Sequence, residues 1–135
     1  MARPDVETFM LMIVLVAAGG ALGSVLRYLI GVVTTAAWGS AFPWGTILIN
    51  IAGSFVIGLF AAGTVAGGVL PASQALRVFV MVGLCGGFTT FSSFSLQTLE
   101  LLRGGRAGMA LLNVTLSVLL CLAAVAAGFQ LGARR

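Results

Sequence analysis

Four long apolar stretches, separated by short clusters of Gly, Pro and Arg, make up almost all of this 135-residue chain. A membrane-spanning helix needs about 20 mainly apolar residues, and the pattern predicts spans over 8–33, 44–66, 73–102 and 107–131. The segments between them are punctuated by turn formers: Gly39-Ser40-Ala41-Phe42-Pro43, Gly67-Gly68-Val69-Leu70-Pro71 and Arg103-Gly104-Gly105-Arg106. Trp38 and Trp44 fall where interface aromatics sit. Inside the third stretch the pattern is interrupted. Gly83-Leu84-Cys85-Gly86-Gly87-Phe88-Thr89-Thr90-Phe91-Ser92-Ser93-Phe94-Ser95 combines glycines, paired threonines and phenylalanines separated by serines. Gly and consecutive Thr are poor helix formers, so the third helix should break mid-membrane. Such a break is tolerated only where its freed backbone groups are buried in protein or line a wet cavity. It is also a means of building an ion site from carbonyls and amides.

Composition fixes the class. The chain is 60% hydrophobic and 7% charged, with mean hydropathy +1.17, against roughly 25% charged residues in a soluble domain. It reads as an all-α integral membrane protein, one four-helix domain over 1–135 with the lipid bilayer as its surroundings. The first apolar run reads as a span rather than a removed signal peptide. The net charge of +4 rests on Arg alone, Lys and His being absent. The arginines lie at span ends without forming the basic stripe that nucleic acid requires. Cys85 and Cys121 sit in apolar spans and read as small apolar side chains. Small residues recur four apart at Gly19 and Gly23, Ser54 and Gly58, Gly83 and Gly87, and each pair lets another helix approach closely. So many small faces exceed what one subunit is expected to bury, which points to a homodimer. With four spans, Arg3, Arg77, Arg134 and Arg135 share one side, against Arg27, Arg103 and Arg106 on the other. This bias is weak under the positive-inside rule and permits insertion in both orientations, hence an antiparallel dimer.

The residues inside the spans exclude most chemistry. Asp, His and Lys are absent between the membrane surfaces, and Glu100 lies near the end of the third span. Proton-coupled transport needs a titratable group at depth, and hydrolysis needs a nucleophile with a base or a ligated metal, so an enzyme is not expected. What remains is neutral and polar. Asn50 offers two N–H donors and serves either as helix–helix glue or as a ligand contact. Phe91 and Phe94, three apart, share a helical face. Their positive ring edges could face an anion, or the rings could simply pack. Asn113, Ser117 and Cys121 form a polar stripe on the fourth helix, lining a wet path or pairing with a neighbour. Arg27 either holds a vestibule positive or snorkels to the interface. Donors, ring edges and an arginine without a buried carboxylate favour an anion over a cation.

The motifs resemble those of the Fluc fluoride channels, also called CrcB proteins, over nearly the whole chain. Gly19-Gly20-Ala21-Leu22-Gly23-Ser24-Val25-Leu26-Arg27-Tyr28 is similar to the family's first-helix signature. The 44–58 stretch with Asn50 and Gly53-Ser54-Phe55 is similar to its second, and Gly86 through Ser95 to its third. The resemblance implies a dual-topology antiparallel homodimer with two pores, passively exporting fluoride across the bacterial inner membrane. Hydrogen fluoride enters uncharged and dissociates inside, and a channel lets the anion leave down its gradient. The resemblance also implies a structural sodium ion (Na+) at the dimer interface, held by backbone carbonyls matching Gly86 and Thr89. It places Phe91, Phe94 and Asn50 in the pore, Arg27 in the vestibule, and Ser93 and Thr46 at polar positions near the path. The fourth-helix polar track maps onto Asn113 and Ser117. Two positions depart from the pattern: Gln97, where many relatives carry glutamate, and Phe88, where they often carry a smaller aliphatic residue. Two other classes compete. A small multidrug-type exporter would need an acidic residue in the first helix to exchange protons for cationic drugs, and none is there. A non-transporting assembly subunit would use the polar residues as glue.

Overall fold

The computed structural model describes residues 5–64, 70 and 72–133, which are helical throughout apart from short turns, with no strand among them. Helix α1 runs Val6–Trp38, α2 Trp44–Gly63, α3 Gln74–Arg77, α4 Cys85–Phe88, α5 Phe91–Arg103 and α6 Ala107–Ala133, with a π-helical segment Val78–Leu84 between α3 and α4. By length and apolarity, four units can span a membrane: α1, α2, the composite third span Gln74–Arg103, and α6. The end of the second span at 64–66, the turn Gly67–Pro71 and the arginines at 3, 134 and 135 lie wholly or partly outside the described residues.

The helix ends follow from local chemistry. Asp5 caps α1, accepting from the Thr8 backbone N–H at 2.7 Å. That bond satisfies one of the free donors of the first turn and holds the Asp5 carboxyl below its ordinary pKa. The first helix continues past Val33 to Trp38, further than hydropathy suggested. Thr34 does not end it, because its hydroxyl donates back to Ile30 O and Gly31 O at 2.7 and 3.1 Å and is satisfied within the helix. Gly39, at φ 76, then stops α1; a left-handed residue there ends a helix with little strain only as glycine.

The packing is that of a membrane protein. Large apolar side chains along α1 and α6 face outward, Leu22, Val25, Leu111 and Leu119 among them. Lipid is as apolar as they are, so association rests on close backbone approach. A Cβ on Gly19 would meet Phe79 O at 2.5 Å and Leu84 N at 2.9 Å, and one on Gly23 would meet Phe88 N at 2.7 Å. Gly83 and Gly87 face back onto Gly19 and Gly20. On the other side of the chain Gly58 packs on Val125 and Phe129 of α6, and Gly128 packs on Phe55 and Leu59 of α2. This corrects the sequence-based reason for expecting a dimer. The Gly19/Gly23, Gly83/Gly87 and Gly58 positions are consumed within one chain, because α1 meets the third span and α2 meets α6 through matching small faces.

Arg27 lies well inside α1 rather than at its end, so it drops out of the flanking count and leaves Arg103 and Arg106 as that side's flanking arginines. The third span is interrupted at Thr89 and Thr90, which are extended at φ −79, ψ 158 and φ −153, ψ 111. Before the break, the Cys85 N–H reaches Val80 O, five residues back, so this stretch is wound wider than an α-helix.

Candidate functional site

The break redirects backbone hydrogen bonds. In a continuous helix the Thr90 N–H would close onto Gly86 O and the Ser93 N–H onto Thr89 O. Here Thr90 N–H donates to Asn50 Oδ1 at 2.8 Å and Ser93 N–H donates to Thr90 Oγ1 at 3.2 Å. The carbonyls of Gly86 and Thr89 therefore lose their helical donors. Gly87 O accepts instead from Arg27 Nε at 3.1 Å and from the Ser24 hydroxyl at 3.5 Å. A cation at the C-terminal end of α4 is also where the helix dipole favours it. Gly53 makes room for this arrangement, since a Cβ there would run into the Thr89 methyl.

Asn50 acts as a surrogate peptide. Its Oδ1 accepts from Thr90 N–H, and its Nδ2 donates to Thr90 O at 3.2 Å. One of its two N–H donors is thus engaged and one is left over. The glue reading and the ligand reading of Asn50 are compatible, because the residue both clamps the break and lines a cavity beside it.

Two cavities flank the break. The first, about 340 Å³, is a vestibule whose wall includes Arg27, Thr46, Ser93, Gln97, Glu100 and Arg106. Thr46 is buried, while Arg27, Ser93 and Gln97 are half-buried. Two arginines and one glutamate leave it positive by one charge. Arg27 lines this cavity and is tied by its hydrogen bond to the Gly87 carbonyl at the break. Arg106 adds a second charge and ties the α5–α6 turn to the Ala41 carbonyl at 2.9 Å. Gln97 Oε1 is buried here without a protein partner.

The second cavity, about 430 Å³, is a groove along α2, the third span and α6. Its wall includes Asn50, Gly86, Thr89, Phe91, Phe94 and Ser117, with Cys85, Cys121 and several aliphatic side chains, and among the described residues no carboxylate, lysine or histidine. The rings of Phe91 and Phe94 lie 5.3 Å apart, tilted at 45°. Phe91 is 78% exposed on the surface of the chain.

The stripe on α6 divides its work. Ser117 and Cys121 line the groove. Asn113, 1% exposed, lines neither cavity. Its Nδ2 donates to Thr98 Oγ1 at 2.8 Å and its Oδ1 accepts from the Ser117 hydroxyl at 3.5 Å. Thr98 in turn donates to Phe94 O at 2.7 Å. A chain of polar contacts thus runs from the Phe94 backbone to Ser117, fixing α5 against α6. Hydropathy and motif give no sign of Thr98 or Arg106 as site residues. Thr98 looks like any hydroxyl in a span until its partner on α6 is known, and Arg106 looks like a flanking charge.

Together these features define a small multi-pass membrane protein built around a broken helix, with an uncharged, largely apolar groove that carries a few polar groups beside a cavity of net positive charge. The sequence profile of the family described as CrcB-like protein, Camphor Resistance (CrcB), matches residues 14–129. A protein of Methylobacterium radiotolerans named fluoride-specific ion channel FluC is 54% identical over 120 residues, 89% of this chain and 83% of that one. Proteins of the same name from Gluconobacter oxydans and Rhodospirillum rubrum are 57% and 56% identical, over 84% and 82% of this chain and 79% and 85% of their own lengths. The chain belongs to the CrcB family.

Proposed function

We infer that this chain is the subunit of a fluoride-specific ion channel of the bacterial inner membrane, letting cytoplasmic fluoride leave passively. The observation that carries the reading is the groove: hydrogen-bond donors and ring edges without a titrating carboxylate, lysine or histidine, next to a vestibule held positive by Arg27 and Arg106. The names of relatives more than half identical to it point the same way. It is a conduit rather than a catalyst.

Fluoride is small and strongly hydrated, and stripping an ion into an apolar medium is prohibitive without replacement contacts. Arg27, Thr46 and Ser93 gather the anion in the vestibule. The free N–H of Asn50, the edges of Phe91 and Phe94, and the Ser117 hydroxyl once it turns from Asn113 Oδ1 replace its water in the groove. Asn113 holds Ser117 in place from behind. Exclusion of chloride follows from width, since a narrow path offers no site for the larger ion.

The groove is mostly apolar, but the spare N–H of Asn50 and the freed carbonyls of the break cannot be left facing lipid. A second copy of the chain, antiparallel as in the resemblance to the Fluc channels, covers it and completes two pores. The freed carbonyls of Gly86 and Thr89 suit a hard cation such as sodium, which takes oxygen ligands. When bound, sodium would supply a fixed positive charge that ties the break in place.

The test is a fluoride-electrode record of efflux from proteoliposomes, with chloride and a drug cation as controls. Fluoride release alone supports a channel. Release coupled to the drug supports the exporter, and no release at all supports an assembly subunit. Phe91→Ile and Phe94→Ile should each slow fluoride efflux roughly tenfold, matching the upper range of about 1.5 kcal/mol for an aromatic contact, while the protein stays folded. Unchanged rates in both remove the ring edges from the path.

A further inference from the structure

Among the described residues, one belongs to both cavity walls: Thr90 lines the vestibule and the groove. Its neighbours part to opposite sides, Ser93 to the vestibule and Phe91 and Phe94 to the groove. Thr90 is buried, at 9% exposure, and held from several directions. Asn50 grips its backbone N–H and C=O. Its hydroxyl accepts from Ser93 N–H at 3.2 Å, donates to Ser93 Oγ at 3.0 Å, and lies 3.2 Å from Ser92 Oγ.

We propose that the Thr90 side chain is the septum between vestibule and groove, and the selectivity-determining residue of the path. Its hydroxyl hands the halide from Ser93 to Asn50, and its methyl sets the width. The hydroxyl is suited to the transfer because its proton rotates freely. Turned from Ser93 Oγ toward an arriving anion, it donates without any backbone movement, alongside the Ser93 hydroxyl, whose own proton that bond does not engage. A chloride ion, larger and less hydrated, meets the methyl in a segment whose backbone is clamped on both polar groups.

The proposal rests on the fluoride-channel reading, and the experiment separates the two. Thr90→Ser keeps the hydroxyl and the helix cap, since Ser caps at least as well as Thr, but removes the methyl. Thr90→Val keeps the volume and removes the donor. Fluoride and chloride efflux are measured for wild type and both variants in proteoliposomes, with melting temperature and gel-filtration profile as folding controls. Thr90→Ser is expected to keep fluoride efflux within a factor of about three and to lower the fluoride-to-chloride ratio at least tenfold. Thr90→Val is expected to lose at least tenfold in fluoride efflux with chloride still excluded. Wild-type efflux with an unchanged ion ratio in Thr90→Ser overturns the septum even if Thr90→Val fails to fold. A wild-type protein that releases no fluoride overturns the channel reading and the septum with it. A loss of rate in Thr90→Ser with an unaltered ion ratio assigns Thr90 a structural role only and also overturns the proposal.

Discussion

Asn50→Asp is expected to reduce fluoride efflux by roughly a thousandfold. A carboxylate about 4 Å from a passing anion opposes it by about 4 kcal/mol at an effective dielectric constant near 20, and each 1.36 kcal/mol is tenfold in rate. A second effect must be separated from this one, because Asn50 also clamps the break. Asp retains the acceptor for Thr90 N–H but loses the donor to Thr90 O. Asn50→Ala loses both, leaving a buried N–H unpaired at a cost of about 1–3 kcal/mol. The two variants therefore order oppositely in two measurements. Asn50→Asp should be the more stable of the pair and the slower conductor. If Asn50→Ala conducts as slowly as Asn50→Asp and melts lower, the clamp alone explains the residue and Asn50 does not contact the ion.

Gly23→Val should destroy the packing of α1 on the third span. The added side chain would meet backbone rather than side-chain tips, with Phe88 N at 2.7 Å from the Cβ position. Overpacking typically costs about 1–3 kcal/mol and occasionally more, and two helix backbones in contact belong at the upper end. The same shift would draw Arg27 off the Gly87 carbonyl, so the vestibule and the break would fail together. Gly108→Ala is the matched control, since nothing lies within 4 Å of its Cβ position and Ala is the better helix former by about 1 kcal/mol. Gel filtration in detergent should show Gly23→Val aggregated or melting at least about 5 °C lower, with Gly108→Ala unchanged or more stable. A monodisperse Gly23→Val of normal melting temperature contradicts the close approach.

How much of this was legible in the sequence varies with the reach of the interaction. The spans were legible because sustained hydropathy is a local signal, and so was the break, because Thr89 and Thr90 follow two glycines. The extra length of α1 was not, since Thr34 bonds back into its own helix and a hydroxyl at that position fits either a helix end or a continuation. The π-helical turn of Val78–Leu84 leaves no periodic mark over so short a run. The glycine pairs announced close helix contacts but not their partners, because Gly23 facing Phe88 and Gly23 facing another subunit look identical along the chain. At the site, Asn50, Ser117 and the two phenylalanines stood out as polar or aromatic positions in apolar spans. The division of labour between Asn113 and Ser117 did not, since it depends on Thr98 reaching across from α5. Thr90 was visible as part of the break, and only the two cavities on either side of it give its side chain a particular place.

The central claim is that neutral dipoles and fixed positive charge, with no titrating carboxylate, lysine or histidine in the groove, move fluoride through this protein. Its most direct test is the fluoride reversal potential of proteoliposomes measured with and without an opposing pH gradient. The account predicts that the potential follows the fluoride gradient alone and does not move when the pH gradient is imposed or reversed. A potential that shifts with the proton gradient, as fixed-ratio exchange requires, would contradict it.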